Sequence, residues 1–394
     1  MYEDVLKLDG MLMVGSAGAN LGKTELACAI IRKFGKIAPI TAIKVTTIKA
    51  KDGQCPRGGD GCGVCSSLEG NFCITKETNK RTNKDTARLL AAGAGRVFWL
   101  RVLKAHLKEG LTALLKITGP DAVLVCESNS LRGVVEPGLF LMVIDQNQQV
   151  WKKSARGVKR YADAVVVSDG SGFDFDINRI KLVDRKWTMP EEATAIIMAG
   201  GGSGRMGSDK SMLPIGSRPM IETICWQLRR CFAQIIISAN DADKYSFLSL
   251  PVVPDKAADQ GPLMGIASAL AVSDNEVNFV VACDIPYIDI SFVREMLAEA
   301  KGADIVVPTH ESRVTSDESR KYEPLFAVYC KSALGAINET LSQGRRRISE
   351  VFGRCRVRYI ELDAPSGVLW TADWFTNINT MAEYEQFLAT LRQE

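Results

Sequence analysis

The sequence predicts an α/β protein built from two doubly wound, mostly parallel sheets. Three observations carry this expectation. Short apolar runs alternate with segments of helical period along the chain. At 394 residues the chain is longer than one hydrophobic core usually serves. The alternation breaks once, at the polar stretch Asp184–Ala193, which contains Pro190 and reads as a linker. The expected domains are therefore 1–185, with a cysteine-rich insert at about 50–76, and 186–394.

In the first half, strand Met11–Val14 empties into Gly15-Ser-Ala-Gly-Ala-Asn-Leu-Gly-Lys-Thr24, and helix Lys23–Phe34 follows. Gly22-Lys23-Thr24 is the end of a phosphate-binding P-loop: the lysine reaches β- and γ-phosphates and the threonine hydroxyl serves Mg²⁺. The strict spacing puts Ala17 where the first glycine belongs, with Gly15 and Gly18 on either side. A glycine-rich turn capping a helix is the plainer alternative. Strand Ala38–Val45 carries Lys44 near its end. The insert then brings Cys55, Cys62-Gly-Val-Cys65 and Cys73, a spacing that suits a Cys₄ centre of zinc or an iron–sulfur cluster. A thiol-rich loop without metal is the alternative. Lys84-Asp85-Thr86 opens a further helix, followed by strand Val97–Leu100 and helix Leu103–Ile117. Strand Ala122–Cys126 ends in Glu127-Ser-Asn129, an acid placed to act on a Mg²⁺ shell. Strands Leu139–Ile144 and Ala164–Val167 complete this half.

The second half restarts with strand Thr194–Ala199, which runs into Met198-Ala-Gly-Gly-Gly-Ser-Gly-Arg-Met-Gly-Ser-Asp-Lys-Ser-Met-Leu-Pro214. Glycine lets a phosphate approach the backbone N–H groups closely, and Arg205 and Lys210 add two cations, so the loop suits a nucleoside triphosphate. Helix Met220–Cys231 and strand Gln234–Ser238 lead to Asn240, and Asp255 lies in VVPDKAADQGPLMGI. Strand Phe279–Ala282 leads to Asp284, followed by Ile285-Pro286. An aspartate at a strand's carboxyl end, facing a phosphate loop, suits Mg²⁺, which takes one or two carboxylates plus phosphate oxygens. Helix Ser291–Ala300 and strand Asp304–Val307 follow. Each piece has a simpler reading. Asp before Pro starts turns, Asn caps helices, and Arg345-Arg346-Arg347 suits a solvated face. Their order on successive strand ends favours a single site.

Composition narrows the chemistry. With two histidines, His106 and His310, histidine clusters are nearly excluded as catalytic or metal centres. Eleven cysteines, an odd number, are expected to be mostly reduced, with Cys28, Cys126, Cys225, Cys231 and Cys283 inert in apolar runs. The net charge of +3 gives no argument for nucleic acid or a membrane surface. No apolar run reaches the length of a membrane span, roughly 20 residues. MYEDVLKLDG carries acids where a signal peptide needs a basic residue, so the cytoplasm is expected.

The loop AGGGSGRMGSDKSMLP and the residues after it resemble molybdenum cofactor guanylyltransferases across nearly all of Thr194–Glu394. The resemblance implies a Rossmann-like nucleotidyltransferase domain of the glycosyltransferase-A type. It places GTP on Met198, Ala199, Gly200, Gly201, Gly202 and Lys210, its nucleoside on Asn240 and Asp255, and Mg²⁺ on Asp284. Catalysis would fall to Lys210, Arg205 and Asp284. The stretches Glu323–Tyr329 and Gly344–Ile348, with Arg345, Arg346, Arg347, Asn377 and Asn379, would line the molybdopterin side. Segment Glu311–Lys321 is longer and more charged than the family's pattern. The implied reaction moves GMP from GTP to molybdopterin and releases pyrophosphate. The alternatives are a CTP-dependent molybdopterin cytidylyltransferase and a sugar-phosphate nucleotidyltransferase. Over Met11–Asp169, Lys44, Asp85 and Glu127 resemble the GTP-binding adaptor of molybdopterin-guanine dinucleotide synthesis, a P-loop NTPase-like domain. There the nucleotide would meet Gly15, Gly18, Gly22, Lys23, Thr24 and Glu127. The alternative is a metal-cluster module without hydrolase activity. The resemblance further implies molybdenum-insertion proteins and molybdoenzyme apoproteins as partners.

Overall fold

The computed structural model describes residues 5–48, 68, 70–145, 152–170, 172–200, 209–310, 321–361 and 377–393. It separates into two units, Tyr2–Met189 and Pro190–Glu394.

In the first unit the strands are β1 (Leu6–Ser16), β2 (Ile40–Ile48), β3 (Phe72–Lys76), β4 (Arg96–Leu103), β5 (Val123–Glu127), β6 (Val135–Asp145), β7 (Ala164–Ser168), β8 (Lys181–Val183) and β9 (Lys186–Thr188). The helices are α1 (Lys23–Phe34), α2 (Asp85–Ala91), α3 (Leu107–Thr118) and the short α4 (Lys153–Arg156). The main sheet has the order β3-β4-β2-β5-β1-β6-β7. Its pairings are parallel except at the edge, where β3 runs against β4. The strand interiors are apolar because helices cover the sheet. Leu12, Val14, Ala42, Val97 and Val125 pack against Leu26, Ile30 and Ile31 of α1.

Three expectations are adjusted here. The two units part between Met189 and Pro190, inside the stretch Asp184–Ala193, but strands occupy most of that stretch. Residues 181–188 form the antiparallel hairpin β8–β9, turning at Asp184 and Arg185 with φ of 48° and 61°. Trp187 in β9 is 1% exposed, and the next strand begins at Glu191. The helix expected from Leu103 starts at Leu107, because Leu103 still pairs with Ile48 in the sheet. Strand β6 also begins earlier than expected. Its Pro137 is tolerated opposite Leu8, beside a register shift between Leu8 and Leu12.

In the second unit the strands are β10 (Glu191–Met198), β11 (Pro214–Ile215), β12 (Arg218–Pro219), β13 (Phe232–Ser238), β14 (Val252–Val253), β15 (Val277–Ala282), β16 (Ile305–His310), β17 (Lys321–Tyr322), β18 (Phe326–Cys330) and β19 (Val357–Glu361). The helices are α5 (Met220–Leu228), α6 (Pro262–Val272), α7 (Ile290–Ala298), α8 (Leu334–Ser342), α9 (Ser349–Phe352) and α10 (Met381–Gln393). The sheet has the order β14-β13-β10-β15-β18-β16-β17, with β19 on β16. Its first four strands are parallel, but β18 runs against both β15 and β16. The sheet is therefore mixed rather than uniformly doubly wound. Alternate residues of β10 feed two cores: Ala195 and Ile197 enter one, Ile196 and Met198 the other. No helix among the described residues is long and apolar enough to cross a membrane.

Candidate active site

In the second unit the parallel strands end side by side. Where β10 ends, Cys283 N–H donates to Met198 O (3.0 Å) and Ala199 N–H to Ser238 O (2.9 Å). Asn240 and Asp284 lie two residues beyond β13 and β15, not on the strands themselves. Gly201, Gly202 and Arg205 lie outside the described residues. The chain is described again from Asp209, whose carboxylate accepts from Ser211 N–H and starts a 3₁₀ turn over Lys210–Met212.

That turn directs Lys210 to the end of β15. Its ammonium donates to Asn379 Oδ1 (2.7 Å) and lies 3.3 Å from Asp284 Oδ2. The C-terminal segment is held against the same point, since Ile378 N–H donates to Asp284 O at 2.9 Å. Asn379 is fixed by a capping box at the start of α10. Glu383 accepts from Asn379 N–H and Thr380 N–H at 2.7 and 2.8 Å, and Thr380 Oγ1 accepts from Glu383 N–H at 3.2 Å. These backbone donors, that of Asn379 foremost, hold the Glu383 carboxyl below its ordinary pKa. Asn377 Oδ1 is buried without a hydrogen-bond partner. Lys210, Asp284 and Asn379, far apart in sequence, thus meet at one point. Cys283 beside them is only partly buried, unlike Cys28, Cys126, Cys225 and Cys231, and burial pushes its thiol up to about 12.

Asn240 and Asp255 form a second pair. Asp255 N–H donates to Asn240 Oδ1 (2.8 Å), and Asn240 Nδ2 lies 3.3 Å from Asp255 Oδ2. Gly265 in α6 allows this packing. A Cβ there would lie 2.7 Å from both Met198 Cε and Ser238 Oγ, and 3.2 Å from Asp255 Oδ1. Arg345, Arg346 and Arg347 are exposed on the turn after α8. Among the described residues no hydrogen bond or ion pair joins them to Lys210 or Asp284.

The first unit gathers charge at its own strand ends. Gly22 sits at the head of α1 with φ of 85°, a left-handed turn that favours glycine. Lys23 and Thr24 follow it. Asn129 locks the end of β1 by accepting from Ser16 N–H (2.8 Å) and donating to Ser16 O (2.9 Å). Gly15 is required there, because a Cβ would lie 2.8 Å from Asn129 Oδ1. Lys44 is ion-paired to Asp85 and lies 3.4 Å from Glu127. Glu127 is 2% exposed and its Oε1 has no hydrogen-bond partner. Burial lowers the Lys23 pKa, and the Glu127 carboxylate works against that shift. Gly18, the remaining loop glycine, accepts at its carbonyl from Ser16 Oγ (2.7 Å).

Cys55, Cys62 and Cys65 lie outside the described residues. Cys73 is in β3, its Sγ 3.2 Å from an Arg101 guanidinium nitrogen. Among the described residues no group of three or more His, Cys, Asp or Glu is placed to hold a metal. Single carboxylates still fit Mg²⁺, which completes its shell with water and phosphate oxygens. The orphaned Glu127 Oε1 near Lys23 and the partly exposed Asp284 carboxylate suit that role. Sequence reasoning missed Tyr245, Asn129 and Glu383. Thr380-Met-Ala-Glu383 carries the capping-box signature and could have been found.

Comparison with known proteins locates the second unit. A family model described as a MobA-like NTP transferase domain matches residues 195–357. A probable molybdenum cofactor guanylyltransferase from Carboxydothermus hydrogenoformans is 32% identical over 198 residues, 50% of this chain and 96% of that protein. Its counterpart from Pelotomaculum thermopropionicum is 35% identical over 192 residues, 49% of this chain and 90% of that protein. The solved molybdopterin-guanine dinucleotide biosynthesis protein A of Archaeoglobus fulgidus covers 51% of this chain and 100% of its own at 22% identity, with a TM-score of 0.44. About a third of the residues are shared over nearly the whole length of these curated relatives, and the chain belongs to the molybdenum cofactor guanylyltransferase family.

Proposed function

We propose that the second unit transfers GMP from GTP to the terminal phosphate of molybdopterin. An oxygen of that phosphate attacks the α-phosphorus, the bond from the α-phosphorus to the bridging oxygen breaks, and pyrophosphate leaves with that oxygen. The observation that carries this reading is the meeting of Lys210, Asp284 and Asn379 beside the end of β10. No protein nucleophile is required. Lys210 offers its ammonium to the triphosphate, with Arg205 as a second cation, and positioning does most of the catalytic work. Asp284 would hold Mg²⁺, which when bound neutralises charge on phosphate oxygens. Asn240 and Asp255 would face the nucleoside, behind Met198, Ala199 and the loop glycines. Arg345, Arg346, Arg347, Asn377 and Asn379 would meet molybdopterin.

The test is competition among GTP, CTP and ATP with molybdopterin as acceptor. GTP is expected to be used preferentially. A clear preference for CTP would make the chain a cytidylyltransferase, and transfer to sugar phosphates alone would overturn the acceptor.

For the first unit we propose a P-loop site that binds a nucleoside triphosphate through Gly15, Gly18, Gly22, Lys23 and Thr24. The half-buried Lys23 at the head of α1 and the unpartnered Glu127 oxygen support it. Thr24 and Glu127 would serve Mg²⁺ there. The wild type is then expected to bind two nucleotides per chain, and Lys23→Ala one, with GMP transfer retained. A single nucleotide in the wild type, unchanged by the substitution, would exclude the P-loop site. Cys55, Cys62, Cys65 and Cys73 are kept as a proposed zinc or iron–sulfur centre on the strength of their spacing.

A further inference from the structure

We propose that Tyr245 is a positioning residue that sets where Lys210 stands relative to the strand end at Ala199. The proposal rests on the reading of Lys210 as a triphosphate ligand. Tyr245 lies in the 3₁₀ segment Asp243–Leu248 and is 1% exposed within the apolar core. Its hydroxyl donates to Ala199 O at 3.1 Å and lies 3.1 Å from Ser211 Oγ. Ala199 is the first residue after β10, and Ser211 directly follows Lys210. One phenol therefore ties together the two described stretches that flank residues 201–208.

The lysine side has an anchor of its own, which shares the same protons. Ser211 is 1% exposed. Its hydroxyl donates to Asp209 Oδ1 at 2.8 Å, and its N–H donates to the same oxygen at 3.0 Å. Lys244, the neighbour of Tyr245, is ion-paired to Asp209, and its ammonium stands 4.8 Å from the Tyr245 ring centroid. Three contacts, Ser211 to Asp209, Tyr245 to Ala199 and Tyr245 to Ser211, share two hydroxyl protons. The Asp209 carboxylate and the Ala199 carbonyl can only accept. The third contact is thus made only when one hydroxyl turns away from its other acceptor. Burial raises the Tyr245 pKa and keeps the phenol protonated as a donor.

Tyr245→Phe removes one oxygen and leaves the ring in the core. The expected result is a KM for GTP raised about tenfold, the worth of one buried hydrogen bond, with the KM for molybdopterin unchanged. A merely structural role would move both KM values together. Ser211→Ala breaks the same tie from the other end and serves if Tyr245→Phe folds poorly. The double variant should lose no more than the worse single one. A folded Tyr245→Phe with wild-type constants, or losses that simply add in the double variant, overturns the proposal. Titration of the wild type with GTP separates the two readings. If the wild type binds no nucleoside triphosphate, the Lys210 assignment fails and takes this proposal with it. If it binds and Tyr245→Phe binds equally well, only the Tyr245 role fails.

Discussion

Asp284→Ala is expected to abolish GMP transfer while leaving the second unit folded. The Asp284 side chain is 22% exposed and contacts Lys210. Its structural bond, from Ile378 N–H to the Asp284 carbonyl, is made by the backbone and survives the substitution. The loss falls on chemistry. On the proposed reading the substitution removes the carboxylate that would hold Mg²⁺ at the end of β15, and Lys210 loses one of its partners among the described residues. A metal ligand or fixed charge of this kind is worth about 3 kcal/mol or more in a transition state, so kcat should fall by at least about two orders of magnitude. Asp284→Asn keeps the shape but removes the charge, and should lose nearly as much. The measurement is kcat at saturating GTP across a Mg²⁺ titration, with circular dichroism as the control for folding. A folded Asp284→Ala that keeps kcat within about tenfold of wild type would remove Asp284 from the catalytic set.

The parts of this site that could be read in the sequence are those where residue type alone fixes the geometry. A run of glycines after an apolar strand announces a loop, and aspartate or asparagine just past successive apolar runs announces strand ends facing it. Lys210 and Asp284 are legible on that basis, and the fold brings them together; Asn379, expected on the molybdopterin side from the family resemblance alone, meets them through Lys210. What could not be read depends on partners distant in the chain. Tyr245 is one aromatic in a polar stretch, and its role exists only because Ala199 and Ser211 fold to either side of its hydroxyl. Asn129 gives no sign that it will lock Ser16, 113 residues earlier. The direction of β18 is equally silent. Phe326–Cys330 is apolar whichever way it runs, because both of its neighbours bury it. The hairpin at Lys181–Thr188 was hidden by composition, since its charges face outward and one residue in β9, Trp187, carries the burial.

Trp187 consequently gives the largest stability effect expected in the first unit. Its indole N–H donates to Leu124 O at 3.1 Å, and its ring meets Phe34 edge-on, with centroids 4.9 Å apart at 81°. The hairpin backbone fits as tightly. A Cβ on Gly138 of β6 would lie 2.8 Å from Trp187 O and 2.2 Å from Asp9 O, so no side chain fits between them. Trp187→Ala leaves a cavity against α1 and strips Leu124 O of its indole donor. Deleting a buried aromatic of this size costs about 3–5 kcal/mol. Trp187→Phe keeps most of the volume and should cost roughly 1–2 kcal/mol, chiefly the lost hydrogen bond and a smaller void. A chain of two units need not unfold in one step, so a single melting temperature is the wrong measure. Native-state hydrogen exchange reads the first unit directly. The amides of β1 and β5, which pair beside the indole, should exchange at least about a hundredfold faster in Trp187→Ala, the equivalent of ~3 kcal/mol. Those of β10 and β15 in the second unit provide the internal comparison. Unchanged protection in β1 and β5 would mean that the hairpin adds nothing to the stability of the core it covers, and that the tight fit at Gly138 is contact without stabilisation.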